Sequence, residues 1–168
     1  MKLGKLMLAS VLLGTTISFA GAQSGPPDVS ADHYVPRLAD IMSALQVRHL
    51  KIYFAGRAEN WDLADFELRQ IESGLAEAAV LYSGIPVTNI TTLAGPARSL
   101  SDAIKVRDKR KFLDAMGQLT EGCNSCHQAM GREFITIGLP TTQPFTNQVF
   151  APPGKKPTFK RQQGADNH

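Results

Sequence analysis

The sequence predicts an all-α fold, an antiparallel four-helix bundle followed by an irregular C-terminal tail. Apolar residues recur at steps of three and four along four successive segments, which is the period of an amphipathic helix. Capping residues and helix-breaking Gly and Pro separate these segments and leave short connections. No segment shows the apolar and polar alternation of a half-buried strand. Amphipathic helices joined by short connections pack as antiparallel bundles, which is the basis of the prediction.

Residues 1–22 are typical of a secretory signal and are not expected to belong to the bundle. An apolar run from Leu6 to Ala20 follows two lysines and precedes an A-x-A cleavage site that ends at Ala22. We therefore expect an exported chain that starts at Gln23, with residues 23–34 as a leader. No later apolar run reaches the roughly 18 residues of a membrane span, so no stable membrane insertion is expected.

The first two helices are predicted from Pro36 to about residues 56–60, and from a cap at Asn60 or Asp62 to Ser83-Gly84. Each carries one apolar stripe at helical spacing. The stripe of the first is Leu38, Met42, Leu45, His49 and Ile52, and the stripe of the second is Ala64, Leu68, Ile71, Leu75, Ala78 and Tyr82.

The third helix is predicted to begin at Pro96, because the missing N–H of proline costs nothing in a first turn, and residues 87–95 then form a link. The fourth is predicted to begin after a cap at Asp108 and to continue until Gly138 and Pro140. Their stripes are Ala97, Leu100 and Ile104, and then Phe112, Met116, Leu119, Cys123, Cys126, His127, Met130 and Phe134.

The predicted bundle covers residues 35–138, and residues 139–168 form a proline-rich, basic tail without periodicity. Apolar side chains at Phe145, Val149 and Phe150 leave open whether its first half packs on the bundle, and its last dozen residues are expected to be disordered. Without the signal, 16 basic and 15 acidic residues remain, which does not suggest a nucleic-acid partner. A basic tail is usually a solvated terminus, and docking of a partner is the alternative.

The two cysteines of the chain both lie in Cys123-Asn124-Ser125-Cys126-His127, the C-x-x-C-H arrangement of covalent haem attachment. Two thiols can add to the two vinyl groups of one haem, and the adjacent imidazole can bind its iron. Positions i, i+3 and i+4 share one face of a helix, so the three groups can reach one flat ligand. We therefore predict one covalently bound haem c on the last helix, with His127 as an axial iron ligand.

A disulfide or half of a zinc site is the simpler interpretation of the two cysteines. A structural zinc site usually needs four ligands, and the chain has no third cysteine. A thioredoxin-like pair would need strands around it, and none is predicted. Haem attachment takes place outside the cytoplasm, which agrees with the predicted export.

In these residues the chain resembles cytochrome c-prime and its low-spin relatives, the class II c-type cytochromes. The resemblance covers about residues 35–134 and implies a four-helix bundle with the haem on its last helix. Besides the haem motif it rests on the helix-ending Gly56, on Pro96 and Asp108 at the starts of helices, and on Gly117, Leu119 and Gly122 ahead of the motif. The chain departs from the family where an Arg commonly stands four residues after the haem histidine: this chain has Gly131 there and Arg132 one position later. Its long tail is a second departure.

The resemblance also implies that the first helix covers the other face of the haem, where low-spin members use a methionine. Met1 and Met7 belong to the signal, and Met116 and Met130 lie on the helix of His127, which leaves Met42 as the candidate second axial ligand. Packing in the core is the ordinary role of such a methionine. His49 lies about 10.5 Å further along the same helix, so only one of the two can reach the iron, and it is the alternative ligand.

These features predict a periplasmic electron carrier with one haem, which is not an enzyme and which has a redox partner protein. The alternative is a five-coordinate haem protein that binds small gases such as NO or CO, with Met42 as packing. A third interpretation makes the haem structural or sensory and the tail a docking element. The resemblance implies a possible homodimer through the first helix, where Leu50, Tyr53 and Phe54 form a second apolar face.

Overall fold

The computed structural model describes residues 34–155 and contains, within them, four helices and no strand. By its contacts the chain divides into Met1–Tyr34 and Val35–His168, and all four helices belong to the second unit. The predicted signal, the leader up to residue 33 and the tail beyond residue 155 lie outside the described residues. Among the described helices, none combines the length and the hydropathy that a membrane span requires.

The helices are α1 (Leu38–Arg57), α2 (Trp61–Leu81), α3 (Val87–Lys105) and α4 (Lys109–Ala129). α1 packs on α2 and α4, and α3 packs on the same two helices. The predicted all-α class and the number of helices are confirmed for the described residues. Their largest fully buried side chains are Phe112, Ile52, Leu68, Leu100, Met116, Leu119 and Glu67.

Two of the predicted caps are confirmed by hydrogen bonds. The Asn60 side chain accepts from the backbone N–H of Leu63, which selects Asn60 over the alternative Asp62 as the cap of α2. The Asp108 side chain accepts from the N–H of Lys111 at the start of α4. Each side chain satisfies one of the backbone donors that a helix start leaves without a partner.

The predicted start of the third helix was wrong, because α3 begins at Val87 and contains Pro96 in its interior. An interior proline removes one helical hydrogen bond and costs about 3 kcal/mol. The apolar stripe, however, continues toward the N-terminus through Leu93, which is buried, and Ile90, which is partly buried. Full burial of such a side chain contributes about 1.5–3 kcal/mol, so packing offsets the cost of Pro96.

The predicted end of the fourth helix was also wrong, because α4 ends at Ala129. Gly131 has a positive φ of 64°. The N–H of Gly131 donates to the carbonyl of Gln128, and the N–H of Arg132 donates to the carbonyl of His127, as in a Schellman motif. Phe134, which was predicted on the stripe of this helix, lies beyond its end and is 76% exposed.

The first half of the tail packs on the bundle without forming helix or strand. Phe150 is 8% exposed and joins the main core cluster, and Phe145 packs against that cluster. The ring of Phe150 lies 5.7 Å from that of Phe54, centroid to centroid. Val149 is exposed. The tail therefore covers Phe54, one residue of the α1 face that was expected to allow a possible homodimer.

Candidate functional site

The two cysteines and the adjacent histidine lie in the last two turns of α4. Both cysteines are free thiols, and Cys123 packs against the main core cluster. Burial, with a smaller contribution from Cys126, raises the pKa of Cys123 to about 11, and burial also raises the pKa of Cys126. Both thiols are therefore protonated at neutral pH, unlike the thiolates of disulfide oxidoreductases.

One ring nitrogen of His127 is held by the chain that follows α4. Nδ1 of His127 lies 2.8 Å from the backbone carbonyl oxygen of Ile135. A carbonyl oxygen only accepts, so Nδ1 carries the proton and donates it. In the neutral ring Nε2 then has the free lone pair. His127 is thus prepared to bind an electrophile or a metal through Nε2.

The segment that supplies this carbonyl is attached to α4 by Asn124, inside the cysteine motif. The Asn124 Nδ2 donates to the carbonyl of Ile137 at 2.9 Å, and the N–H of Ile137 donates to the Asn124 Oδ1 at 2.7 Å. Sequence reasoning missed Asn124, Ile135 and Ile137 as site residues. Gly131 was the available signal, because a glycine there can end the helix and return the chain along it.

Met42 lies on α1 and is partly buried. It packs against a small cluster of Ile41, Ala78 and Ile85, and Met130 packs against the same cluster. Met130 is the C-cap of α4, three residues after His127. The fold therefore brings Met42 of α1 into the same apolar cluster as Met130, three residues beyond the cysteine motif.

His49, the alternative ligand, has a partner in the core. It is 4% exposed, and its Nε2 lies 2.8 Å from the Thr120 Oγ1 on α4. The Thr120 hydroxyl donates its one proton to the carbonyl of Met116. Nε2 of His49 must therefore carry a proton and donate it to Thr120. Burial lowers the pKa of His49, which favours this neutral form.

A polar cavity of about 470 Å³ lies between α4 and the segment that follows it. Its lining is Glu121, Asn124, Ser125, Gln128, Glu133, Ile135 and Thr136, and it includes neither cysteine. Among residues 34–155, no group of three or more His, Cys, Asp or Glu side chains is arranged to hold a metal ion.

Arg132, whose role the sequence left in doubt, donates to the carbonyl of its neighbour Gly131. Its bond is therefore local to the turn that follows α4.

Comparison of the chain with protein-family models, with curated protein sequences and with solved structures found no match.

Proposed function

We propose that this chain is a periplasmic c-type cytochrome with one haem, which transfers single electrons and is built as an antiparallel four-helix bundle. One observation carries the proposal. His127 stands beside two free thiols and donates Nδ1–H to the Ile135 carbonyl. The lone pair of its Nε2 is therefore available to bind a metal. Metal-bound histidines almost always give their other ring N–H to a carbonyl, a carboxylate or water, which fixes the ring and its tautomer.

Cys123 and Cys126 suit the covalent attachment of haem in their chemistry. Each protonated thiol can add across a vinyl group, with sulfur bonding to one carbon and hydrogen to the other, so attachment consumes no oxidant. The two cysteines and His127 occupy positions i, i+3 and i+4 of one helix, which places them on one side. A single haem could thus be held by two thioethers and one imidazole.

The register between α1 and α4 supports Met42 as the second axial ligand. The hydrogen bond from His49 to Thr120 joins the two helices at one level. Met42 lies seven residues before His49, and His127 lies seven residues after Thr120. Seven residues are nearly two turns and about 10.5 Å, and in antiparallel helices these two steps run in the same direction. In the proposed antiparallel arrangement, Met42 and His127 would then lie at about the same level along the bundle.

When bound, the haem supplies reversible one-electron exchange between ferric and ferrous iron. The chain contributes the two donors, an imidazole nitrogen from His127 and a neutral thioether sulfur from Met42. A thioether raises the reduction potential relative to a second imidazole. His49 stays engaged with Thr120 in the core and does not compete for the same position. This donor pair suits a carrier that exchanges electrons with a separate redox partner protein.

The test is production of the full chain in a host that exports it and attaches haem. Mass spectrometry of the denatured protein should show the chain from Gln23 plus one haem, and the ferric protein should have a low-spin absorption spectrum. The matched control replaces both Cys123 and Cys126 with Ala and should carry no covalent haem. Haem that acidified acetone extracts from the wild-type protein would contradict the proposal. A high-spin protein that binds carbon monoxide rapidly would support gas binding instead of electron transfer.

A further inference from the structure

The chain reverses direction after α4 and returns beside the cysteine motif. Gly131 ends the helix, and six residues later Ile137 is held by Asn124 through two hydrogen bonds. Between these two points the carbonyl of Ile135 accepts from His127 Nδ1. The returning segment, residues 131–137, is therefore connected to α4 at its start, in its middle and at its end.

Hydrogen bonds contribute most of the contacts that hold the returning segment in place, since among its apolar residues only Ile137 is partly buried. Phe134 is 76% exposed and Ile135 is 45% exposed, so neither contributes a buried side chain. Asn124 is partly buried and uses both halves of its amide on one residue, Ile137. An amide is suited to this, because it offers a donor and an acceptor side by side. Loss of Asn124 would remove two of the contacts that set the position of the segment along α4.

We infer that Asn124 is a positioning residue for the haem ligand: it fixes Ile137 and thereby holds the Ile135 carbonyl against Nδ1 of His127. The inference rests on the proposed function, since it concerns how His127 binds iron. The carbonyl selects the tautomer in which Nε2 is the donor and sets the plane of the ring. A ring that donates Nδ1–H to a carbonyl is a more basic ligand, which favours ferric iron and lowers the reduction potential.

Asn124 and its neighbour Ser125 make different contacts, because only Asn124 bonds to Ile137. The Ser125 hydroxyl donates to the carbonyl of Glu121 within α4 and is exposed, so its contact is local to the helix. Ser125→Ala is therefore a matched control that changes the same motif without removing a hydrogen bond to the returning segment. Asn124→Ala removes the amide, and Asn124→Leu replaces it by an apolar group of similar size.

The experiment measures three properties of the haem-loaded wild type and of these three variants. They are the exchange rate of the Ile137 amide proton, the NMR signal of the His127 Nδ1 proton in the ferrous protein, and the reduction potential. In both Asn124 variants, we expect the Ile137 amide to exchange at least tenfold faster, the Nδ1 proton signal to be lost to exchange with water, and the potential to rise. Ser125→Ala should match the wild type in all three.

Any other outcome would contradict one step of the inference, or the proposed function on which it rests. Unchanged protection of Ile137 in both Asn124 variants would show that the amide does not hold the segment. Loss of that protection with an unchanged potential and Nδ1 signal would show that the segment does not act on His127, and it would overturn the inference while leaving the proposed function intact. A wild-type protein without covalent haem would overturn the proposed function and the inference together.

Discussion

Two histidines, one in the core and one at the end of α4, use opposite ring nitrogens. His49 lies on α1, is 4% exposed, and donates Nε2–H to the hydroxyl of Thr120. His127 lies near the end of α4, is partly exposed, and donates Nδ1–H to the carbonyl of Ile135. Nε2 of His49 is thus engaged in a hydrogen bond, whereas Nε2 of His127 is available to bind a metal.

The partner of each ring, and not the residue type, decides which histidine can act as a ligand. Thr120 can only accept from His49, because its own proton is donated to Met116. A metal at Nε2 of His49 would require the loss of a buried hydrogen bond, which costs about 1–3 kcal/mol. His127 has no such cost, because its hydrogen bond uses Nδ1. The difference supports the proposed binding role of His127 and favours a structural role for His49.

Replacing the two histidines one at a time should therefore affect haem loading very differently. His127→Ala removes the nitrogen donor and is expected to reduce the yield of haem-loaded protein by more than about tenfold. His49→Gln keeps an N–H that can reach Thr120 and should load haem as the wild type does. Pyridine haemochrome absorbance per mole of chain measures both. Equal loss of haem in the two variants would contradict the distinction.

Substitutions of Met42 test whether α1 supplies the second axial ligand of the proposed haem. Met42→Leu keeps the volume and should cost less than about 1.5 kcal/mol of stability, whereas Met42→Ala should cost about 2–5 kcal/mol. Both variants should lose the long-wavelength absorption band of thioether ligation, become high-spin and bind carbon monoxide. Since the stability loss of Met42→Ala is expected with or without ligation, the spectrum of Met42→Leu decides. A spectrum that stays low-spin in both variants would favour His49 as the ligand.

The burial of His49 also predicts a pH dependence of stability. Burial lowers the pKa of His49 below its ordinary value of 6.5, so the unfolded chain binds this proton more readily than the folded chain. Stability should then be full above pH 6.5 and should fall below it, until the lowered pKa of the folded state is passed. The slope is at most about 1.4 kcal/mol per pH unit.

Urea unfolding of the wild type and of His49→Gln between pH 7.5 and 5 isolates this contribution. The difference in unfolding free energy between the two proteins should shrink as the pH falls through the window. All other ionisable groups are the same in the two proteins, so their contributions cancel in the comparison. A difference that does not change with pH would contradict the assignment of a neutral, buried His49.

The parts of the fold that depend on residues close together in sequence could be predicted from the sequence. Asp108 was predicted as a cap, and Asn60 as one of two candidates with Asp62, because a cap bonds to a residue three positions away. The start of α3 was not predicted, since Pro96 is unfavourable locally and the packing of Leu93 and Ile90 in the core offsets its cost. The packing of Phe150 on Phe54 joins residues 96 positions apart, and no local pattern encodes it.

The candidate site likewise has one part that could be predicted from the sequence and another that could not. The motif from Cys123 to His127 is continuous in sequence and could be predicted directly. The bonds from Asn124 to Ile137 and from His127 to Ile135 span 13 and 8 residues and require the chain to reverse. That reversal depends on the positive φ of Gly131, and hydrophobic periodicity carries no information about the sign of φ.

Substitution of Gly131 should cause a small loss of stability and should loosen the segment that contacts His127. Gly131→Ala places a side chain at a φ of 64°, which costs about 1–2 kcal/mol for an ordinary residue, although open space surrounds the position. Gly138→Ala is the matched control, because that glycine also has open space around it but no positive φ. Thermal unfolding should therefore show a lower midpoint for Gly131→Ala alone. Because residues 131–137 leave the helix at Gly131, the same variant should also exchange the Ile137 amide faster, by less than Asn124→Ala does. Equal midpoints for the two glycine variants would show that the left-handed turn is not what ends α4 and returns the chain to His127.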